Sequence, residues 1–219
     1  MRGPLIFALA LVLAAAAACL PTSPVRVKVE MPGVSPFPAD FFREVIVTNF
    51  RDDAPSPEFD LGRELQDYLA SELGRSFKGT VSRMTVAWDD GGALKDAAYW
   101  RQAAGGRERA IFLAGSARLV GLTRKALQNA KLPMDGPFHF DRRGLVELRH
   151  YAFSVDIALI SAATGELLYD KKFLEERDFI DLEKTPDIAF PELADRFRGR
   201  LFPVLLGTST VEERALLRR

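Results

Sequence analysis

Cysteine is nearly absent from this chain of 219 residues: Cys19 is the only one. A lone cysteine excludes an internal disulfide. With only two histidines, His139 and His150, the usual cysteine and histidine zinc sets are excluded too, and no cofactor is implied. An excess of one charge is also missing. Lysine and arginine number 30, as do aspartate and glutamate, so the chain as a whole offers no electrostatic footprint for nucleic acid, and none is expected as a partner. Phosphate-binding loops are lacking: Gly91-Gly92 and Gly105-Gly106 have neither the lysine nor the third glycine such loops need, and read as turns. Gly115-Ser116 lies within a strand pattern rather than at the strand-to-helix turn of a nucleophile elbow. The adjacent carboxylates Asp52-Asp53, Asp89-Asp90 and Glu175-Glu176 point to opposite faces if in a strand, or into water if in a turn, so they make poor acid and base pairs. His150, inside a strand pattern, reads as a hydrogen-bonded structural histidine.

What is present begins at the first residues. Arg2 precedes the apolar run Leu5 to Ala18, which is as long as a secretion signal and shorter than the roughly 20 residues of a membrane-spanning helix. Ala16-Ala17-Ala18 directly before Cys19 resemble the lipobox of bacterial lipoproteins, although Ala16 stands where leucine is common. The same residues also fit ordinary Ala-x-Ala cleavage, with Cys19 removed or left as a free thiol. The lipobox resemblance implies that residues 1–18 are removed and that Cys19 carries a diacylglyceryl thioether and an amide-linked acyl chain. At about 0.8 kcal/mol per buried methylene, two or three chains hold a protein to a membrane durably. In that family Leu20, rather than Asp, after the cysteine implies the outer membrane, facing the periplasm.

Residues 19–40 hold Pro21, Pro24, Pro32, Pro36 and Pro38 and read as a semi-extended linker, with a reach of at most roughly 60 Å. Within it Val25-Arg26-Val27-Lys28-Val29 alternates, and is alternatively a short edge strand. Residues 41–219 read as one globular α+β (mixed α/β) domain, with a mixed sheet of about five strands, a long hairpin and two to three packed helices. Glu44 to Phe50 is a buried strand. Ser56 and Pro57 suit a helix start, and Leu61, Leu65, Tyr68 and Leu69 share that helix's inner face. Thr80 to Trp88 is a strand, Ala93 to Ala103 a shorter helix, and Ala110 to Val120 a strand in which Gly115 marks a bulge or a close backbone approach. Leu122 to Gly144 has no clear period. Leu145 to Ile160 alternates, with Tyr151, Phe153, Val155, Ile157 and Leu159 on one face, and pairs with Glu166 to Glu176 through a turn in which Gly165 supplies a positive φ. A long helix is expected from Pro191, bent or ended by Pro203, with Arg196 and Arg200 on its solvated face. Thr210-Val211-Glu212-Glu213 reads as a capping box opening a short terminal helix.

Val45 to Phe50, the Leu61 to Leu73 helix, Phe112-Leu113-Ala114-Gly115 and the Leu159 to Tyr169 hairpin together resemble a recurring envelope-lipoprotein domain. Its relatives include the curli secretion lipoprotein, the lipoprotein activators of penicillin-binding proteins and the N-terminal domain of the Tol translocation protein. The resemblance covers about Phe42 to Gly207 and implies a non-catalytic protein, tethered to membrane by lipid on Cys19, that binds and positions or regulates another envelope protein. Members that form a pore have additional amphipathic strand pairs, an alternation Leu122 to Gly144 lacks. From the residues themselves, Phe138, Phe140, Arg142 and Arg143 on a loop have the composition of a partner-binding hot spot. They also fit rings tucked onto the sheet with the arginines in water. A carrier for a lipid or other amphiphile and an unrecognised hydrolase are the alternative functions.

Overall fold

The computed structural model describes residues 25–31, 35, 37, 41–87, 93–130, 142–207 and 210–216. The elements in chain order are β1 (Val25–Met31), β2 (Glu44–Thr48), β3 (Arg51–Asp52), α1 (Leu61–Ser76), β4 (Thr80–Met84), a 3-10 turn (Ala93–Lys95), α2 (Ala97–Ala104), β5 (Ala110–Ala130), β6 (Arg142–Ser161), β7 (Leu167–Phe179), α3 (Pro186–Leu206) and β8 (Thr210–Leu216). They fall into two compact units, Val34–Thr208 and a smaller one that joins Met1–Gly33 to Ser209–Arg219.

In the smaller unit β1 and β8 pair antiparallel, from Val25 opposite Leu216 to Met31 opposite Thr210. The alternation of Val25 to Val29 therefore does make a strand, although not one of the main sheet. The terminal helix expected from Thr210 is replaced by β8. Thr210-Val211 is β-branched as well as cap-like, and its pairing partner lies at the far end of the sequence, where no local signal reports it.

The larger unit is α+β, three helices on a mixed six-stranded sheet of order β4-β2-β5-β6-β7, with β3 also beside β5. Pairing is parallel among β4, β2, β3 and β5 and antiparallel from β5 to β7. The β2-α1-β4 and β4-α2-β5 crossovers follow from apolar runs separated by helical patterns. Asp60 caps α1, its carboxylate accepting from the Arg63 amide at 3.1 Å. The expected start at Ser56 is thus displaced. Ser56 and Phe59 form an isolated bridge, a turn that brings the Phe59 ring to 5.5 Å from Phe190. Helix α3 likewise starts at Pro186, not Pro191, and runs through Pro203 to a left-handed Gly207 cap.

Alternation decides the two cores. Tyr151, Phe153, Val155, Ile157 and Leu159 point to α1 and α3, where Phe197 stands edge-on to Phe153 at 6.0 Å and to Phe173 at 5.3 Å. Each such ring contributes about 1.5–3 kcal/mol by burial. On the opposite face Ala114, Ala158 and Ala162 leave room under α2 for the fully buried Trp100, 4.9 Å from Phe112. Buried Gln66 of α1 ties β2 to β4 by donating to the carbonyls of Val47 and Met84, both at 2.9 Å. Gly115 is a close approach without a register shift: a side chain there would strike the Asp156 carbonyl.

The largest departure from the sequence reading is β5. It continues past Val120 to Ala130 and stays paired with β6 to Arg142. Leu122 to Ala130 and Arg142 to Gly144 are therefore strand. No helix covers either face of that stretch among the described residues, so its sequence carries no apolar alternation to read.

Candidate functional site

Because β3 leaves β5 at Ala117 and β7 leaves β6 at Arg149, the sheet narrows to a two-stranded ribbon. It runs from the Arg124–Leu148 pair to the Ala130–Arg142 pair, seven residue pairs and roughly 24 Å. Leu122 at its base is 46% exposed, and Leu145 further out 67%. Of the residues singled out by composition, Arg142 and Arg143 have their backbones in β6, opposite Ala130 and Asn129. Their side chains lie outside what is described, as do Phe138, His139, Phe140 and Cys19 altogether. By sequence, the two phenylalanines belong to the connection between the ribbon's strands.

At the base of the ribbon three strands contribute one polar row. His150 of β6, 8% exposed, has Nδ1 at 2.8 Å from Asp178 of β7, and Arg124 of β5 holds the other carboxylate oxygen. Burial pushes the Asp178 carboxyl up, but the hydrogen bonds from Arg124 and His150 outweigh it and hold the group below its ordinary value. His150 is thus hydrogen-bonded, as its strand position suggests. Beside it lies a cavity of about 380 Å³ lined by Arg124, His150, Glu176, Arg177, Asp178 and Arg196. The opposite side of β6 is braced by the Tyr151 hydroxyl, which donates to the Lys184 carbonyl at 2.6 Å.

Arg196 and Arg200 are exposed, as expected of a solvated face, and both also reach to the edge of β7. Arg196 donates to the carbonyl of Glu176 at 3.3 Å and Arg200 to that of Leu174 at 3.0 Å, while Arg200 also pairs with Glu175 at 2.6 Å. An edge strand exposes a row of unpaired backbone groups; here two of its acceptors are occupied by guanidiniums. Glu175 and Glu176 alternate along β7, as a strand requires. Elsewhere Ser116 donates to Asp53 at 2.8 Å, so the strand serine and the described histidine have separate carboxylates. Burial raises the Asp53 carboxyl, yet the bonds from Arg51 and Ser116 prevail and lower it. Among the described residues no group of three or more histidine, cysteine or carboxylate side chains could hold a metal ion. No described helix is long and apolar enough to cross a membrane.

No family model matches the chain, nor does any curated protein. Solved structures do show similarity at low identity. The PelC dodecamer from Paraburkholderia phytofirmans is 13% identical with a TM-score of 0.42, over 83% of this chain and 98% of that one. Lipoprotein GNA1162 from Neisseria meningitidis is 7% identical with a TM-score of 0.36, over 71% and 96%. The C-terminal domain of LpoB from Salmonella enterica is 16% identical with a TM-score of 0.31, over 66% and 87%. Likenesses this weak assign no function.

Proposed function

We propose that the chain is a lipid-anchored, non-catalytic protein of the cell envelope, held through Cys19 on the periplasmic face of the outer membrane, that binds and positions another envelope protein. The supporting observation is the ribbon of β5 and β6, which runs beyond both cores with Leu122 and Leu145 exposed. Exposed leucines alone are ordinary. Leu145 stands on a strand pair that no described helix or further strand flanks, and Leu122 lies just inside its base, still beside the end of β7. By sequence, Phe138 and Phe140 fall in the connection between the ribbon's strands and Arg142 and Arg143 at the start of β6, and together they have the aromatic and arginine composition of interface centres. The anchor confines the ribbon to a thin layer above the bilayer and raises the effective concentration of a membrane-held partner to about mM, so weak contacts suffice.

A photo-crosslinking residue at Leu145 in intact cells, with radioactive palmitate in the medium, tests the proposal. The expected outcome is label on the protein and a discrete adduct with one envelope protein, both lost in Cys19→Ser. An unlabelled protein that washes off membranes and traps nothing would overturn it.

A further inference from the structure

Beyond Ala117 no described strand lies on the outer edge of β5. The Asp53 amide donates to the Ala117 carbonyl at 2.9 Å, which fixes the sense of the strand: odd-numbered residues turn their backbone groups away from β6, and even-numbered ones toward it. The N–H and C=O groups of Leu119, Gly121, Thr123, Lys125, Leu127 and Asn129 therefore face outward. Among the described residues, no strand pairs with this edge past Ala117 and no backbone hydrogen bond reaches those groups. The contrast with β7 is informative, because that edge has arginines on its carbonyls.

Charge distinguishes the occupants. Residues 118–130 and 142–149 contain Arg118, Arg124, Lys125, Arg142, Arg143 and Arg149 against one acid, Glu147, in a chain whose totals are equal. Lys125 and Glu147 do pair, at 3.6 Å, but both are more than half exposed, so this pair is weak. The edge strand itself has three cations and no acid between residues 118 and 130. Antiparallel pairing with a second copy would set those cations against their own kind, which destabilises a sheet. A row of alternating donors and acceptors matches a polypeptide backbone, whereas the phosphate oxygens of phosphate polymers and lipid headgroups only accept and leave the edge carbonyls without a partner.

We infer that the outer edge of β5, from Leu119 to Asn129, is a strand-addition site for an extended acidic segment of a partner protein. The inference rests on the protein-binding reading and supplies its geometry. Main-chain bonds give affinity; because side chains alternate between faces, acidic ones on one face of the added strand settle against Arg118 while apolar ones on the other face meet Leu119.

The test uses the lipidated full-length protein in detergent and a synthetic peptide of about ten residues alternating valine with glutamate, with a valine and lysine peptide as control. Amide hydrogen exchange should slow by roughly tenfold or more at Leu119, Gly121, Thr123 and Lys125 with the acidic peptide alone. Thr123→Pro removes one outward donor without touching the β6 ladder and should weaken binding by about tenfold. Because proline can perturb an edge, Arg118→Glu with Lys125→Glu gives an independent reading and should abolish the preference for the acidic peptide. Protection elsewhere, equal binding of both peptides, or equal protection by phosphatidylglycerol vesicles overturns the inference. So does protection of the same amides without peptide in a protein that sediments as a dimer. An in-cell adduct from Leu145 that survives Thr123→Pro leaves the protein-binding reading standing and removes strand addition alone.

Discussion

Backbone geometry governs two single residues strongly. Gly115 has φ +153° and lies against the Asp156 carbonyl. Gly115→Ala must push β5 off β6 at the centre of the sheet, and the expected loss is about 2–3 kcal/mol, measured as a lower urea midpoint with unchanged slope. Gly165, at φ +71°, closes the β6–β7 turn against the backbone of Ala97. Both glycines stand out in the sequence, because a glycine weakens a strand interior unless the backbone there needs the space, and a Thr-Gly turn between two alternating runs needs the positive φ. Asp178 gives a pH-dependent case. Its folded carboxyl sits below the ordinary value near 3.8, so it binds a proton less readily than the unfolded chain. The stability contributed by the ionised Asp178 carboxyl is thus complete above about pH 5 and drains as pH falls below about 4. Urea unfolding of Asp178→Asn should show a deficit against wild type at pH 7 that narrows by pH 3; a deficit constant with pH would contradict the assignment. The arginines on β7 were not legible. An i, i+4 arginine pair on a helix names no target, and here the targets are carbonyls 20 and 26 residues earlier in the chain.

Whole elements show a similar division. The helices and central strands follow from apolar period, since each buries one face: Leu65, Leu69 and Leu73 of α1, and the odd-numbered positions of β6. The outer half of β5 failed that test because, among the described residues, no helix covers either of its sides, and β8 failed it because seven residues of mixed character fit a cap as well as a strand. The long edge of β7 offers a prediction at this scale. Replacing Arg196 and Arg200 together by alanine removes exposed contacts worth no more than about 1 kcal/mol each, so the urea midpoint should move little. The exposed carbonyls of Leu174 and Glu176, beside a half-exposed Leu174, should promote edge-to-edge association. Light scattering at raised concentration should show the double variant assembling where wild type stays dispersed; equal dispersity would mean the guanidiniums guard nothing.

The molecule as a whole is connected twice. Strand β1 leads into the larger unit, and the chain leaves that unit again to return as β8 beside β1, register for register. Neither local composition nor the lipobox resemblance announces this, since it depends on segments almost two hundred residues apart recognising one another. A protease site inserted after Gly33 should therefore be cut without freeing the sheet-bearing part from membranes in native buffer, and moderate urea should then release it, because a two-stranded pairing is marginal on its own. Release by the cut alone would show that the pairing does not hold. If it does hold, and Cys19 carries the proposed anchor, a single nick between the units cannot release the sheet-bearing unit from the membrane. The chain behaves as a buckled strap rather than a string, and detachment requires a second severing event or an unfastening.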